Sequence, residues 1–303
     1  MIDLFNIPNS QQDVQIFYAN GSAWQTWQKP RKCNYVYIMC IGGGGGGQSG
    51  TVASGASSSN NTQGGGSGAV TRALYNSQQI PDRLYIQVGL GGNGGASTLT
   101  NTSNPGSSGT RSVVSLQPIS LIVSQNLVAI SGNAGAAGGV LNTTSAGETV
   151  STQTTAVFYT LSNFISTAGV ACTFFAASPI ANINTLTSQI TCQGAQGGGG
   201  VGGIPAARNG GSISETSYTP LIQGGLGTLS PSTNGGNGSN GVTVWKPFLS
   251  TGGAGGGNSD LGNGGSGGNG GIGSGGGGGG SCSSGQSGAG GKGGDGLVII
   301  ISF

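Results

Sequence analysis

Histidine is missing from this sequence altogether, and charge is scarce: 5% of the residues are charged and the formal net charge is +2. Without histidine, relays and triads built on imidazole are excluded. The acids Asp3, Asp13, Asp82, Glu148, Glu215, Asp260 and Asp295 are scattered, with no spacing that suits a carboxylate pair. Little basic charge argues against nucleic acid as a partner, since phosphate recognition needs a basic surface, and Arg31–Lys32 is the one adjacent basic pair. No apolar run approaches ~18 residues, so no membrane insertion is expected. The start, Met1-Ile-Asp-Leu-Phe, lacks the basic opening and long apolar core of a signal peptide, which predicts synthesis in a cytoplasm.

Cysteine is sparse as well. Cys33, Cys40, Cys172, Cys192 and Cys282 are odd in number and widely spaced, and Cys33 and Cys40 have no second close pair. A zinc site is therefore not expected, and the thiols read as small buried side chains. Gly42-x-Gly44-x-x-Gly47 after a strand matches the dinucleotide fingerprint in letters. The stretch 51–62 cannot supply the helix that must follow, and the first acid downstream is Asp82. No cofactor, no metal and no catalytic residue is expected.

What the chain has instead is glycine, 68 of its 303 residues, with Ser, Asn and Thr filling much of the remainder. The organising stretch is 252–303, a glycine-rich run with six consecutive glycines at 275–280 that ends in Leu297-Val-Ile-Ile-Ile-Ser-Phe303. Its mirror image stands near the start, where Tyr35-Val-Tyr-Ile-Met-Cys-Ile41 opens onto Gly42–Gly47. Both apolar stretches read as strands buried on two faces. They are expected to be neighbours or near neighbours in one sheet, clamping the runs between them. Leu84-Tyr-Ile-Gln-Val88 alternates as a strand does and also feeds a glycine run, 89–95.

Glycine runs cannot bury a conventional core, and ordering them costs about 1–2 kcal/mol per residue. Collagen is excluded, since there is no strict Gly-X-Y period. The remaining ordered form is extended backbone in left-handed threefold helices, bonded laterally because no Cβ holds them apart; the alternative is irregular loops stabilised by an oligomer. The fold class predicted is thus all-β and irregular. It is a small β-sandwich-like frame with packed polyglycine II-type segments and little or no helix. Internal positions should reject even a methyl group, while Asn, Ser and Thr should mark outward or turning positions.

Three regions follow. Residues 1–20 have ordinary composition and read as an N-terminal attachment segment, with Leu4, Phe5 and Ile7 as the docking side chains. Residues 21–303 form the glycine-rich β domain. An insertion at about 140–193 is poor in glycine and carries Phe174 and Phe175.

From about Phe17 the chain resembles the glycine-rich proteins of tailed phages. The resemblance is carried by Trp27-x-x-Pro30 ahead of a strand, by Tyr35–Gly47, by Tyr85-Ile-Gln-Val-Gly-Leu-Gly-Gly-Asn-Gly-Gly95, and by Gly291-Lys-Gly-Gly-Asp-Gly-Leu-Val-Ile-Ile300. It looks like tail-fibre components and is more distantly similar to the fibre-tip adhesins of T-even-like phages. The stretch 140–193 departs from that pattern. The resemblance implies a non-enzymatic virion protein, made in the host cytoplasm, that binds a host cell-surface protein or glycan and touches other virion proteins. The alternative is a purely structural virion part, such as a capsid fibre, decoration or cement protein. A third reading is ice binding by a flat face of such a bundle. Few side chains are available for burial, which predicts a homo-oligomer, and likeness to phage fibres favours a trimer. Aromatics on loops make the best contacts with a receptor. The candidates are Trp245, Phe248, Tyr75 and Tyr218, together with Phe174 and Phe175.

Overall fold

The computed structural model describes residues 13–52, 62–118, 128–132, 134–138, 165–167, 190–192, 194–195, 197, 207–229 and 233–303. Among them the architecture is all-β, with one 3-10 turn, Ser77–Gln79. The strands are β1 Asp13–Tyr18, β2 Gln25–Gln28, β3 Tyr35–Ile41, β4 Val70–Asn76, β5 Arg83–Gln87, β6 Ser112–Ser115, β7 Val128–Gly132, β8 Ile165–Thr167, β9 Thr243–Trp245, β10 Phe248–Ser250 and β11 Leu297–Ser302.

One sheet has the order β1-β11-β3-β4-β8, a second β2-β5-β6-β7, and β9 and β10 form a hairpin. The two terminal apolar stretches are direct antiparallel neighbours, with Leu297 opposite Ile41 and Ile300 opposite Ile38. Alternation along each strand sends successive side chains to opposite faces. Val36, Ile38, Cys40, Val298 and Ile300 therefore meet Trp27, Leu84, Ile86 and Val114 of the second sheet. Met39, Ile41, Leu297, Ile299 and Ile301 point the other way, onto Phe248 and the half-buried Trp245 of the hairpin. This is why β11 is apolar from Leu297 to Ile301: all six of its residues are buried.

β1 pairs along its whole length with β11, from Asp13 opposite Ser302 to Tyr18 opposite Leu297, so this segment belongs to the larger sheet. Leu4, Phe5 and Ile7 lie outside the described residues. Most of the stretch 140–193 does too; within it, β8 pairs with β4.

Glycine runs leave the strands directly. Segment 42–52 continues β3, 62–69 enters β4, 89–98 follows β5 and 103–111 enters β6. Near the C-terminus, 233–242 enters β9, 251–259 follows β10, 262–272 and 273–283 run back and forth, and 286–296 enters β11. Segment 42–52 shows what orders them. Gly42, Gly45 and Gln48 donate their N–H groups to Ala69, Gly66 and Gln63. Gly43, Gly46 and Ser49 donate to Thr110, Ser107 and Asn104, and Gly44, Gly47 and Gly50 to Gly294, Gly291 and Gly288. The carbonyls of Gly44 and Gly47 accept from Gly92 and Gly95, those of Gly43 and Gly46 from Gly135 and Gly138, and those of Gly45 and Gln48 from Gly276 and Gly279. Partners that change with every residue and recur every third are what a threefold extended helix produces. Six neighbours surround the segment, three antiparallel through its N–H groups and three parallel through its carbonyls.

Segments 273–283 and 251–259 are also enclosed by six neighbours each, with a different mix of parallel and antiparallel partners, and the three buried segments lie in one row. Segments 103–111 and 219–229 end that row. One layer above it holds 89–98, 286–296, 262–272 and 233–242; the layer below holds 134–138, 62–69, the described parts of 190–197, and 207–216. Backbone bonds, not side chains, fill the interior, and so the buried peptide groups are satisfied without a Cβ. At most of these glycines, the nearest atom to a Cβ built on the backbone is a neighbour's carbonyl oxygen: that of Ser274 at Gly44, that of Ala254 at Gly277. One Hα of each glycine therefore aims at a carbonyl, the geometry of a Cα–H···O contact. Among the described glycines only Gly21, Gly273 and Gly285 have positive φ, so the runs take the φ-negative hand. Gly273, at φ 66, is where 262–272 reverses into 273–283, and Gly285, at φ 101, is where the chain turns into 286–296.

The expected exclusion of side chains from the interior fails at a few positions, one of them in the middle of a run. Ala254 is fully buried, in a small apolar cluster with Cys192, Ala195, Ile213 and Ile222. Ser274 and Ser281 are buried too. Ser274 Oγ accepts the N–H of Cys192 at 3.1 Å and donates to the Ser250 carbonyl at 3.1 Å, and Ser281 Oγ accepts the N–H of Thr51 at 3.1 Å. A hydroxyl is tolerated where it replaces a backbone partner.

Candidate functional site

The array has two ends. Strands enter and leave at one, while at the other the chain reverses at 98–103, 259–262 and 283–286. Those reversals sit on backbone that is bonded from several sides.

Along the upper layer the outermost helices lack a neighbour on their open side, which leaves every third N–H without a backbone acceptor. Side chains supply it. Asn263, Ser266 and Asn269 donate their N–H groups to the side-chain oxygens of Asn234, Asn237 and Asn240, at 2.9, 2.9 and 2.8 Å. Ile272 continues the series to Thr243 Oγ1 at 3.1 Å. In the next helix over, Gln286 and Lys292 donate to Asn263 and Asn269, each at 2.9 Å, and Gly91 donates to Asp295 at 2.8 Å. A backbone N–H can meet only the amide oxygen, so each of these asparagines has its amide nitrogen turned away from the bond. The side chains repeat once per threefold turn, about 9 Å along the helix.

A shallow depression of about 330 Å³ lies on this face at the reversal end. Ser97, Asn234, Asn237, Asn263, Ser266 and Gln286 line it, with glycine between them. Gln286 Nε2 donates to Ser97 Oγ at 2.8 Å, which ties helix 286–296 of the layer to helix 89–98. Among the described residues no charged or aromatic side chain lines it. Further toward the strands the face carries Lys292 and Asp295, paired at 3.1 Å.

A second, apolar cleft of about 240 Å³ lies at the β frame, between Ile16 and Tyr18 of β1 and Trp245 and Lys246 of the hairpin. Here the aromatic candidates separate. Trp245 and Phe248 meet edge to face with centroids 5.2 Å apart. Phe248 is buried against the sheet, and Trp245 is half-buried and forms one wall of the cleft. Tyr75 is corrected outright: it is 0% exposed, alternation turns it into the sandwich core, and no partner from solution can reach it. Tyr218 is 55% exposed, at a turn where Thr216 N–H donates to Thr219 O at 3.0 Å. Phe174 and Phe175 lie outside the described residues. The asparagine rows were missed from sequence. Their signal is the threefold spacing of Asn234, Asn237 and Asn240, repeated in Asn263, Ser266 and Asn269.

A model of a family described as a glycine-rich domain matches residues 19–302. No curated protein is matched by the chain.

Proposed function

The chain belongs to the glycine-rich domain family, and on that premise we propose that it is a non-enzymatic virion surface protein, a tail-fibre or spike component that binds the host cell envelope. The observation that carries this reading is the placement of the chain reversals 98–103, 259–262 and 283–286 together at the end of the array away from the strands. Binding residues concentrate on loops held by a rigid scaffold, and here the scaffold is backbone bonded laterally in three layers. The partners are host surface molecules at the reversal end and other virion proteins at the strand end, with copies of the chain assembled as a trimer.

Two measurements on one preparation test this. Gold-labelled antibody against the chain is imaged on intact particles, and purified protein is added to an adsorption assay on the host. Label at fibre or spike tips, with adsorption slowed by the free protein, is the expected result. Label spread over the capsid, with adsorption unchanged, rejects host binding in favour of a structural capsid component.

A further inference from the structure

We propose that the amide-lined depression on the upper layer is a binding site for neutral glycan. The proposal deepens the host-binding reading and rests on it for the source of the glycan. The chemistry of the lining selects the class. Ser97, Asn234, Asn237, Asn263, Ser266 and Gln286 supply hydroxyls and carboxamides, and among the described residues no charged side chain lines it to take a phosphate, sulfate or carboxylate. Among the described residues no aromatic or large aliphatic anchor of the kind that carries protein–protein affinity lines it either. A neutral ligand rich in hydroxyls is what remains.

The donors are set before any ligand arrives. Asn234 is held by the N–H of Asn263, Asn237 by that of Ser266, and Asn263 by that of Gln286, each at 2.9 Å. Holding the oxygen fixes the plane of each amide, so its nitrogen donates without a further loss of rotamer freedom. Gly235, Gly264 and Gly288 between these residues let a sugar ring approach the backbone. Asn234 and Asn237 are one turn apart, about 9 Å, or roughly two pyranose rings. An oligosaccharide lying along the helices meets equivalent donors at regular intervals.

The test uses the full-length protein on an array of immobilised oligosaccharides: neutral gluco-, manno-, galacto- and N-acetylhexosamine series, with sialylated and sulfated series alongside. Binding to at least one neutral series is expected. Asn237→Asp and Asn263→Asp keep an oxygen that accepts the backbone N–H and replace the outward amide donor with a charged oxygen that can only accept, a charge that the Asn209→Asp control also adds. Each should weaken binding by about ten-fold or more with an unchanged melting temperature. Asn209→Asp, at an amide outside the depression whose oxygen accepts the N–H of Gly227, should leave binding unchanged. Binding confined to the charged series, no binding at all, or equal binding by the three variants overturns the proposal. So does shaping of ice crystals without oligosaccharide binding. Slowed host adsorption by a protein that binds no oligosaccharide would sink the glycan site and leave the host-binding reading standing.

Discussion

Ser266 donates its backbone N–H to the side-chain oxygen of Asn237 at 2.9 Å, so the asparagine stands where the next helix of the array would have been. The bond uses only the backbone of Ser266. Asn237→Ala leaves that N–H to water and should cost about 0.5–1.5 kcal/mol, whereas Ser266→Ala should stay within about 0.5 kcal/mol of the parent. Urea melts of the two variants check this, and a reversed order would remove the asparagine from its edge-sealing role.

The interior of the array makes a harsher prediction. A Cβ at Gly277 would overlap the Ala254 carbonyl, and one at Gly44 the Ser274 carbonyl. Both obstacles are backbone and cannot swing aside. Gly277→Val and Gly44→Val should each destabilise by more than about 4 kcal/mol, and neither should be recovered in soluble form at the parent's yield. Melting equal to that of Ser266→Ala would mean that the runs are loose.

The clamp formed by β3 and β11 is the next test. Ile299 is fully buried, on the sheet face covered by the hairpin. Ile299→Ala should cost about 2–5 kcal/mol. Removing 297–303 deletes the central partner of both β1 and β3 and should abolish soluble folding, read as loss of the soluble fraction on expression.

Alkali should unfold the protein through its buried acids. Burial pushes the Cys192 thiol up to about 12, against a weaker pull downward from the Gly252 N–H that donates to its sulfur. Burial raises Tyr75 as well, with nearby Cys40 adding to the shift. A raised folded pKa means that the unfolded chain releases its proton first. The stability these groups hold is complete below their unfolded values and is lost as pH climbs from about 9 toward their folded ones. Each ionising group contributes a slope of about 1.4 kcal/mol per pH unit. Urea midpoints measured from pH 7 to 11 should therefore be flat at first and then fall, and Cys192→Ser should flatten the fall. A midpoint independent of pH up to 11 would contradict the burial of both groups.

Assembly is tested by mass. Light scattering of the purified chain should return three copies, and a monodisperse monomer would reject the trimer.

How much of this was legible beforehand differs from element to element. Tyr35–Ile41 and Leu297–Phe303 announce themselves, because an apolar run in a glycine-rich chain has one physical use, burial on both faces of a sheet. Their pairing followed from both adjoining glycine. The extended threefold form of 42–47 was also readable, since absence of side chains leaves backbone bonding as the only source of order. Which neighbour each residue meets was not. In segment 42–52 successive N–H groups go to residues near 66, 107 and 291, and identical glycines carry no mark that distinguishes them. Tyr75 shows the same limit: an aromatic beside polar residues reads as exposed, yet its place on the inward side of β4 decided its burial.

The asparagine rows divide the two sources most clearly. Their threefold spacing is written in the sequence, and with it the helical repeat. That the spacing marks an open edge, and that edges from four distant segments line up into one face, was decided only by the packing. A lone threefold helix exposes all its backbone N–H groups alike, and an edge exists only once neighbours have closed the other sides.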